Sequence, residues 1–435
     1  MKNTYDLIGI GFGPANISLA AFLEEEQPDV KALFLEKRNN FVWQEEMLFE
    51  NALDIHSNIQ NIPHRDLATP RSPRSRYTFM NYLHEQGRLF QHLNMDLMMP
   101  MRPEYAKYIK WCADELSAQT QTGVNIDSIE YVEGADIFKV SSSNGEEWHT
   151  RNVVLGHGRE PSIPEVFRPH LGENVFHFTR YKSSVKSLYN KGARKIAIVG
   201  SSQTAAELLL HTTKEYEDLE VHIIMRRFAF PLKDTSPFMS EIYFPEFTDL
   251  YYRADSDLKK RIDQDVYRTN YGAADMDVIE EVYRQIYHDQ LRGCNRIKMH
   301  RLSDITQVSV DGANVIIDID NNMEGSSYSE VFDGVVIATG FVNYGSAAGE
   351  INIPPLLSNV IQLLEIKDNS VSITGAYELE TVKSSACRIF LNGLSESSHG
   401  MGDAGSLSLA SLRSATIATK ILEKTVPEEE LSCAV

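Results

Sequence analysis

Tyr5-Asp-Leu-Ile-Gly-Ile-Gly-Phe-Gly-Pro-Ala-Asn16 is the stretch that decides the fold of this chain. An apolar segment runs into a triplet of glycines, and a helical pattern follows from 17 to 25. The triplet consists of Gly9, Gly11 and Gly13. Glycine permits a tight turn and lets main-chain N–H groups approach a pyrophosphate, whose charge also suits the N-terminus of the next helix. Glu36 follows a second apolar strand and is placed to accept hydrogen bonds from a ribose diol. This order predicts a dinucleotide-binding unit.

A second copy of the pattern begins with Lys195-Ile-Ala-Ile-Val and turns at Gly200. Ser201 and Ser202 stand where glycines are usual, so this turn alone would also fit an ordinary strand-to-helix loop. The strand that follows ends at Arg226-Arg227, where the first unit has its acid. Guanidinium groups match the charge and geometry of a ribose 2′-phosphate, although the pair would also fit a solvated basic corner. Together the two units predict FAD at the first turn and NADPH at the second.

The positions of the two units predict an α/β fold with nested domains. We expect two Rossmann-like dinucleotide-binding domains and a small, mostly helical substrate domain. The FAD-binding domain is predicted at 1–160 and 335–435, the NADPH-binding domain at 161–227 and 296–334, and the substrate segment, which is aromatic and acidic, at 228–295. The apolar segment 331–341 should return the chain to the first domain and present Thr339 and Gly340 to a nucleotide.

The composition limits the partners of the protein. The chain of 435 residues is long enough for two or three domains and carries a formal net charge of -19. A nucleic-acid-binding surface needs a basic face, so we expect no nucleic-acid partner. No apolar run reaches roughly 18 residues, the length that spans a bilayer, so we expect no membrane partner and a cytoplasmic protein. We also expect a homo-oligomer, either a tetramer or a dimer.

The cysteines argue against two kinds of site. Cys112, Cys294, Cys387 and Cys433 are widely spaced and include no Cys-x-x-Cys pair. This spacing lacks the redox-active disulfide of a flavin disulfide reductase and offers no zinc-ligand pattern. We therefore predict no metal site.

Several separated blocks resemble the flavin-dependent N-hydroxylating monooxygenases of siderophore biosynthesis, which act on ornithine, lysine, histamine and diamines. The blocks are Gly9-x-Gly-x-Gly-Pro14 with Asn16, Phe41-x-Trp43, Asp66-Leu-Ala-Thr69, Phe79-x-Asn-Tyr-Leu83, Gly200 through Gln203 to Glu207, Ser236-Pro-Phe238, Pro245-Glu246, Thr269-Asn-Tyr271, Ala338-Thr-Gly340 and His399-Gly400. The resemblance implies that NADPH reduces FAD, that O2 adds to give a C4a-hydroperoxyflavin, and that a neutral primary amine takes the distal oxygen.

The resemblance also implies roles for single residues. Gln60 falls where the family places a glutamine beside the flavin, and Asn270 matches a residue that touches both substrate and nicotinamide, so both are predicted as catalytic. Read alone, they would be a loop amide and a helix-capping asparagine. The complete set of predicted cofactor-binding residues is Gly9, Gly11, Gly13, Pro14, Glu36, Trp43, Gln60, Gly200, Ser201, Ser202, Gln203, Thr204, Arg226, Arg227, Asn270, Thr339 and Gly340.

Departures from the family pattern bear on the substrate. Amino-acid hydroxylases of this family hold the substrate α-carboxylate with a lysine and asparagines, whereas this chain has Arg65 and Ser240 at two of these positions. Ser408 is predicted as a further substrate residue with Asn270, although the register leaves Ser406 open. A serine offers one hydroxyl where an asparagine offers two N–H donors. These departures favour a decarboxylated amine such as histamine, putrescine or cadaverine, whereas Arg65 favours the alternative, L-ornithine or L-lysine.

Two functions of other classes remain open at this stage. An NADPH-dependent flavoprotein reductase would serve another redox protein and would show no dependence on an amine. A flavin monooxygenase acting on carbonyls or heteroatoms usually carries an aromatic-Gly-x-x-x-His segment between the nucleotide units. Here the corresponding segment is Phe176-His-Phe-Thr-Arg-Tyr181, which resembles the His-x-x-x-Tyr of the N-hydroxylases.

Overall fold

The computed structural model of the protein describes residues 4–49, 65–97, 99–383 and 385–423. The strands in these ranges are β1 (Thr4–Ile10), β2 (Ala32–Glu36), β3 (Gln119–Thr122), β4 (Ile126–Val132), β5 (Ile137–Ser142), β6 (Glu147–Leu155), β7 (Glu160–Pro161), β8 (Val175–His177), β9 (Lys195–Val199), β10 (Glu220–Ile224), β11 (Ile297–His300), β12 (Ser303–Asp311), β13 (Asn314–Asn321), β14 (Ser326–Phe332), β15 (Gly334–Ile337), β16 (Phe341–Val342), β17 (Ile366–Lys367), β18 (Ser370–Val371) and β19 (Arg388–Leu391).

The α-helices of the same ranges are α1 (Pro14–Glu26), α2 (Phe79–Glu85), α3 (Leu89–Met95), α4 (Arg102–Glu115), α5 (Tyr181–Asn190), α6 (Gln203–Glu215), α7 (Pro245–Arg253), α8 (Ser256–Asn270), α9 (Met276–Leu291), α10 (Glu396–His399), α11 (Met401–Ala404) and α12 (Ala410–Leu422). None of these helices is long and apolar enough to cross a membrane.

The first sheet has seven strands. Its order is β3-β2-β1-β6-β5-β4, and β19 also pairs with β6. The pairs among β3, β2, β1, β6 and β19 are parallel, whereas β4, β5 and the first part of β6 form an antiparallel meander. Most of β1 is buried, as expected of a parallel strand covered on both faces. Helices α1, α4 and α12 pack together on this sheet.

The second sheet repeats the plan of the first. Its order is β11-β10-β9-β15-β8, and all of its pairs are parallel. An antiparallel meander, β12-β13-β14, precedes β15 just as β4 and β5 precede β6. In both sheets the strand that enters the glycine turn is central, with the next strand of the unit on one side and the returning strand on the other. The chain therefore contains two copies of one architecture, in agreement with the predicted α/β fold.

One predicted boundary needs correction. Residue 335 was expected to open the second part of the FAD-binding domain, yet β15 (Gly334–Ile337) pairs with β9 and β8 in the second sheet. The strand is buried along its whole length, so its apolar sequence reflects its place inside that sheet. The chain leaves the second sheet only after residue 337.

Segment 228–295 contains α7, α8 and α9 and a 3₁₀ turn at Met239–Tyr243. Helix α8 begins after Asp255, whose carboxylate accepts hydrogen bonds from the N–H groups of Asp257 and Leu258. A small cluster of buried side chains, including Ile242, Tyr243 and Met401, packs this segment against α11. The helical segment is therefore joined to the C-terminal part of the chain.

Candidate functional site

The first glycine turn is shaped by contacts that exclude side chains. Gly11 has φ of 85°, and a Cβ there would lie 2.7 Å from the carbonyl oxygen of Gly156, directly after β6. A Cβ on Gly9 would overlap the ring of Phe34. By contrast, a Cβ on Gly13 would meet no described atom within 4 Å. Gly11 and Gly9 are thus needed for packing, whereas the described residues leave the space beside Gly13 open, so that a ligand can approach the main chain there.

Glycine 13 is also the N-cap of α1, and Pro14 is the first residue of that helix. No side chain caps this helix end. Proline suits the position because its missing N–H would have had no partner within the helix. The free N–H groups of the first helical turn and the positive end of the helix dipole lie beside Gly13, and this setting suits a pyrophosphate.

Two predicted cofactor-binding residues, Glu36 and Trp43, lie at and shortly after the end of β2. Glu36 is buried at the end of β2, and its Oε2 accepts a hydrogen bond of 2.8 Å from the N–H of Phe12. Trp43 is 9% exposed and packs edge-on against Tyr105, with ring centroids 5.8 Å apart. The predicted Gln60 lies outside the described residues.

The second turn, like the first, brings a glycine close to the main chain that follows the returning strand. Gly200 has φ of 148°, and a Cβ there would lie 2.6 Å from the carbonyl oxygen of Ala338, directly after β15. Ala338 is thus the counterpart of Gly156. Four residues after this glycine are half-buried where α6 begins: Ser201, Ser202, Gln203 and Thr204. Ser202 is the N-cap and makes no side-chain capping bond.

Hydrogen bonds show which residues of the two units correspond. The N–H of Gly11 donates to the carbonyl of Leu35 at 2.8 Å, and the N–H of Gly200 donates to the carbonyl of Ile224 at 3.1 Å. Glu36 directly follows the first acceptor, whereas Arg226 and Arg227 lie two and three residues after the second and are exposed. The basic pair therefore lies beside the second turn at the strand end where the first unit has its acid.

The predicted residues after β15 face the second sheet. Thr339 is exposed, and its hydroxyl donates to the carbonyl of Ser162. Gly340 has φ of 78°, and its carbonyl accepts from the N–H of Ser162 and from Nε2 of His177, both at 2.9 Å. Burial lowers the pKa of His177 to about 4, so the imidazole is neutral at pH 7 and donates from Nε2.

The predicted catalytic Asn270 is the last residue of α8 and is half-buried. Its Nδ2 donates to the carbonyl of Gly405 at 3.2 Å. A Cβ on Gly405 would lie 2.6 Å from that nitrogen. Ser406 donates to the carbonyl of Gly402 at 2.9 Å and accepts from the N–H of Ser408 at 3.1 Å. The structure therefore brings Asn270 against the segment that carries both candidate serines, and both serines are buried.

Arg65 and Ser240 lie at the 3₁₀ turn of the helical segment. The Arg65 guanidinium stands 5.5 Å from the ring centre of Tyr243 and 5.8 Å from that of Phe244. Burial lowers the pKa of Arg65, and the described residues hold no carboxylate in ion-pair distance of it. Ser240 donates to the carbonyl of Thr235 at 3.4 Å. Tyr243 links this turn to α8, because its hydroxyl donates to the carbonyl of Thr269 at 3.4 Å.

A buried polar network beside Asn270 was not anticipated from the sequence. Nη1 of Arg159 donates to Tyr271 at 2.8 Å, to Asn343 at 2.9 Å and to Glu396 at 3.2 Å. The Tyr271 hydroxyl also donates to Glu396, and Asn343 donates to Glu396 at 2.8 Å. Burial raises the pKa of Glu396, and the charge of Arg159 opposes that rise. Of the four residues in this network, only Tyr271 belongs to a motif that the sequence analysis recognised. Nothing in the sequence around Arg159, Asn343 or Glu396 indicates that these residues meet.

These features define a class of protein. Two sheets, each with parallel central strands and a glycine turn that opens a helix, form a flavoprotein oxidoreductase fold with two dinucleotide sites. The open face of Gly13, the buried acid Glu36 and the exposed pair Arg226 and Arg227 fit FAD and NADPH in donor type and charge. The described residues contain no group of three His, Cys, Asp or Glu side chains that could hold a metal ion.

The similarity to known proteins identifies the family. Residues 3–343 match the L-lysine 6-monooxygenase/L-ornithine 5-monooxygenase family, and the chain belongs to it. An L-ornithine N(5)-monooxygenase of Pseudomonas aeruginosa is 31% identical over 412 residues, which cover 92% of this chain and 89% of that protein. The protein is thus a flavin-dependent N-hydroxylating monooxygenase of siderophore biosynthesis that uses FAD, NADPH and O2.

Solved structures agree with this assignment. The ornithine N-hydroxylase KtzI of Kutzneria sp. 744, in complex with reduced FAD, NADP+ and L-ornithine, has a TM-score of 0.87 and 27% identity, with 96% of this chain and 99% of that chain covered. An L-lysine 6-monooxygenase of Pseudomonas syringae has a TM-score of 0.83 and 28% identity, with the same two coverages.

Proposed function

We propose that the protein hydroxylates the side-chain amine of a basic L-amino acid, L-ornithine before L-lysine. The observation that carries this proposal is the half-buried guanidinium of Arg65, which has aromatic neighbours but no carboxylate partner among the described residues. A half-buried guanidinium is stabilised by a carboxylate partner, and the α-carboxylate of an amino-acid substrate would supply one. The ornithine-hydroxylating relatives support the same substrate class.

We propose that the first sheet binds FAD and that the second sheet binds NADPH. The amine would bind where the two cofactors meet the helical segment. Glu36 receives the ribose of FAD, and Arg226 or Arg227 receives the 2′-phosphate of NADPH. The two cofactors supply reducing equivalents and activate O2, so that one oxygen atom reaches the amine. The division of the chain then follows the predicted domains, with the return to the FAD-binding domain after residue 337.

The side chains of this chain have three tasks in the proposed reaction. Arg65 fixes the carboxylate end of the substrate, and Asn270, held against Gly405, fixes the substrate beside the nicotinamide. The buried ring of Tyr243 lies against the Arg65 guanidinium and holds it at the carboxylate end of the site. The amine must lose its proton before it can accept oxygen, and we assign no residue to that step.

A second candidate substrate is an amine without a carboxylate, such as histamine, putrescine or cadaverine. Ser240 favours it, because its single hydroxyl hydrogen is directed to the carbonyl of Thr235, just before the turn. A serine in this state can accept a hydrogen bond but cannot donate one to a carboxylate. Arg65 is the residue at this turn that argues against the second candidate, because its guanidinium favours a carboxylate.

A substrate panel on the wild type and on Arg65→Ala and Arg65→Lys tests the proposal. Hydroxylamine formation and NADPH oxidation are measured together for ornithine, lysine, histamine, putrescine and cadaverine. We expect the best coupled turnover with ornithine, and we expect Arg65→Ala to raise the KM for ornithine about 10- to 150-fold, since a charge-assisted hydrogen bond contributes about 1.5–3 kcal/mol. The KM for putrescine should change little.

The other outcomes are equally informative. If a carboxylate-free amine gives the best coupled turnover and Arg65→Ala does not weaken ornithine selectively, the second candidate is correct. If NADPH is oxidised at the same rate with and without every amine while an external electron acceptor is reduced, the N-hydroxylase assignment itself fails for this chain.

A further inference from the structure

We propose that a buried ion pair between Arg102 and Glu207 positions Gln203 and the turn at 200–204 for NADPH. The inference rests on the proposed NADPH site and adds two positioning residues that lie outside the turn. Arg102 opens α4 on the first sheet, whereas Glu207 lies in α6 on the second. The pair therefore crosses from the FAD side of the molecule to the NADPH side.

The ion pair is bidentate and shielded from water. Nη1 of Arg102 donates to Oε2 of Glu207 at 2.7 Å, and Nη2 donates to Oε1 at 2.8 Å. The side chain of Arg102 is 6% exposed and that of Glu207 is 1% exposed. Two parallel charge-assisted bonds hold the carboxylate in one orientation, and the buried setting keeps salt from weakening them.

The oriented carboxylate in turn orients Gln203. Oε1 of Glu207 accepts a second hydrogen bond, of 2.8 Å, from Nε2 of Gln203, which lies four residues earlier on the same face of α6. The Gln203 amide oxygen accepts from the N–H of Asp275 at 2.8 Å, and its main-chain N–H donates to the carbonyl of Ala273 at 2.9 Å. Because one end of the amide must donate and the other must accept, these partners allow only one orientation of the side chain.

This arrangement couples the turn to the segment that follows Asn270. Ala273 and Asp275 lie three and five residues after it, between α8 and α9. A shift of Gln203 would therefore loosen the start of α6 and the connection between α8 and α9. Neither Arg102 nor Glu207 needs to touch the cofactor to have this effect.

The charges of Arg102 and Glu207 should also affect the binding of NADPH. NADPH carries several phosphate charges, and a lone buried carboxylate one helical turn behind the phosphate-binding turn would repel them. Arg102 cancels that charge while holding the carboxylate in place. Removal of Arg102 alone should therefore weaken NADPH binding more than removal of both partners.

The test uses the full-length holoenzyme and five variants: Gln203→Ala, Glu207→Gln, Glu207→Leu, Arg102→Met and the double variant Arg102→Met/Glu207→Leu. The KM for NADPH, the KM for the amine and kcat are measured, together with the FAD content and the melting temperature. We expect Glu207→Leu and the double variant to raise the KM for NADPH about tenfold and Arg102→Met to raise it further, with the amine KM unchanged and kcat within about twofold. Glu207→Gln should have a smaller effect, because its amide oxygen still accepts from Gln203.

A matched control is available in a second buried ion pair. Asp289 accepts from Nε of Arg296 at 3.0 Å, and the two side chains are 5% and 12% exposed. Asp289→Asn should lower the melting temperature without changing the KM for NADPH, because this pair lies away from the turn. Equal KM changes in Asp289→Asn and Glu207→Gln would show a general loss of packing and would overturn the positioning role.

The remaining outcomes separate this inference from the proposed NADPH site. If Gln203→Ala raises the KM for NADPH and Glu207→Leu does not, the turn binds NADPH but the ion pair does not position it. If neither variant changes that KM, the NADPH turn itself is wrongly assigned. If Glu207→Leu does not retain FAD, the Glu207→Gln variant is used instead. A KM for NADPH in Glu207→Gln equal to that of the wild type then refutes the inference.

Discussion

The main-chain N–H of Phe12 donates a hydrogen bond of 2.8 Å to Oε2 of Glu36. Phe12 lies between the second and third glycines of the first turn, and Oε1 of the same carboxylate accepts from the N–H of Arg38 at 3.0 Å. A carboxylate has about four acceptor sites, so it can still receive a ribose diol. Glu36 therefore holds the shape of the turn in addition to its predicted contact with the cofactor.

Glu36→Ala should lower the affinity for FAD. It removes both the acceptor for the ribose and the bond that holds Phe12, so we expect the dissociation constant of FAD to rise at least about tenfold. Titration of the apoprotein with FAD, followed by fluorescence, measures the change. Asp29→Ala removes an exposed acid from the connection before β2 and should leave the affinity unchanged. An unaltered FAD affinity in Glu36→Ala would refute the assignment of the first turn.

Arg226→Ala or Arg227→Ala should reduce the preference for NADPH over NADH. Only the 2′-phosphate gives these exposed guanidiniums a specific partner, and its loss should raise the KM for NADPH about 10- to 150-fold with little change for NADH. Steady-state kinetics with both nucleotides gives the ratio. Arg284→Ala, on the exposed face of α9, serves as the control. If both single variants and the double variant keep the preference for NADPH over NADH, another basic residue binds the 2′-phosphate.

Ser240→Asn should improve the use of amino-acid substrates. An asparagine at this turn would add N–H donors near Arg65, so we expect a KM for ornithine about five- to tenfold lower, as for one added hydrogen bond of about 1 kcal/mol. The KM for putrescine should stay the same. Ser236→Asn, three residues before the same turn, is the control. A wild-type ornithine KM in Ser240→Asn would place residue 240 outside the carboxylate site.

Acidification should destabilise the protein through its buried histidines. His211 stacks on Phe49 with ring centroids 4.0 Å apart, and burial lowers its pKa to about 4. The ordinary value in an unfolded chain is about 6.5. The unfolded state thus binds more protons between these values, so stability is complete above pH 6.5 and falls as the pH approaches 4.

Replacing this histidine should remove part of the pH dependence. Between pH 7 and pH 5, His211→Gln should lose about 2 kcal/mol less of its unfolding free energy than the wild type, because the glutamine cannot titrate. Urea denaturation at the two pH values measures the difference. His84→Gln, at an exposed position on α2, should behave as the wild type. Parallel losses in wild type and His211→Gln would show that this ring does not control the acid sensitivity.

The sequence by itself determined the two nucleotide units, the cofactors and the family. These properties depend on short segments in which the local backbone conformation or a nearby contact requires a particular type of residue. Gly11 and Gly200 adopt positive φ beside another main chain, Pro14 opens a helix, and the acid or basic pair follows the second strand. Because strand and helix geometry sets these spacings within a single unit, the pattern could be recognised without knowledge of distant contacts.

The tertiary structure alone decided which distant residues meet. Arg102 and Glu207 are 105 positions apart, and Arg159 and Glu396 are 237 apart. Strand β15 looked like the return to the first domain, but its pairing placed it in the second sheet. Charged side chains and apolar strands carry no local mark of their partners, because the partner is set by the packing of whole sheets and helices. For the same reason the sequence left the amine class open between the opposing signals of Ser240 and Arg65, whereas the structure showed Arg65 beside aromatic rings and without a carboxylate among the described residues.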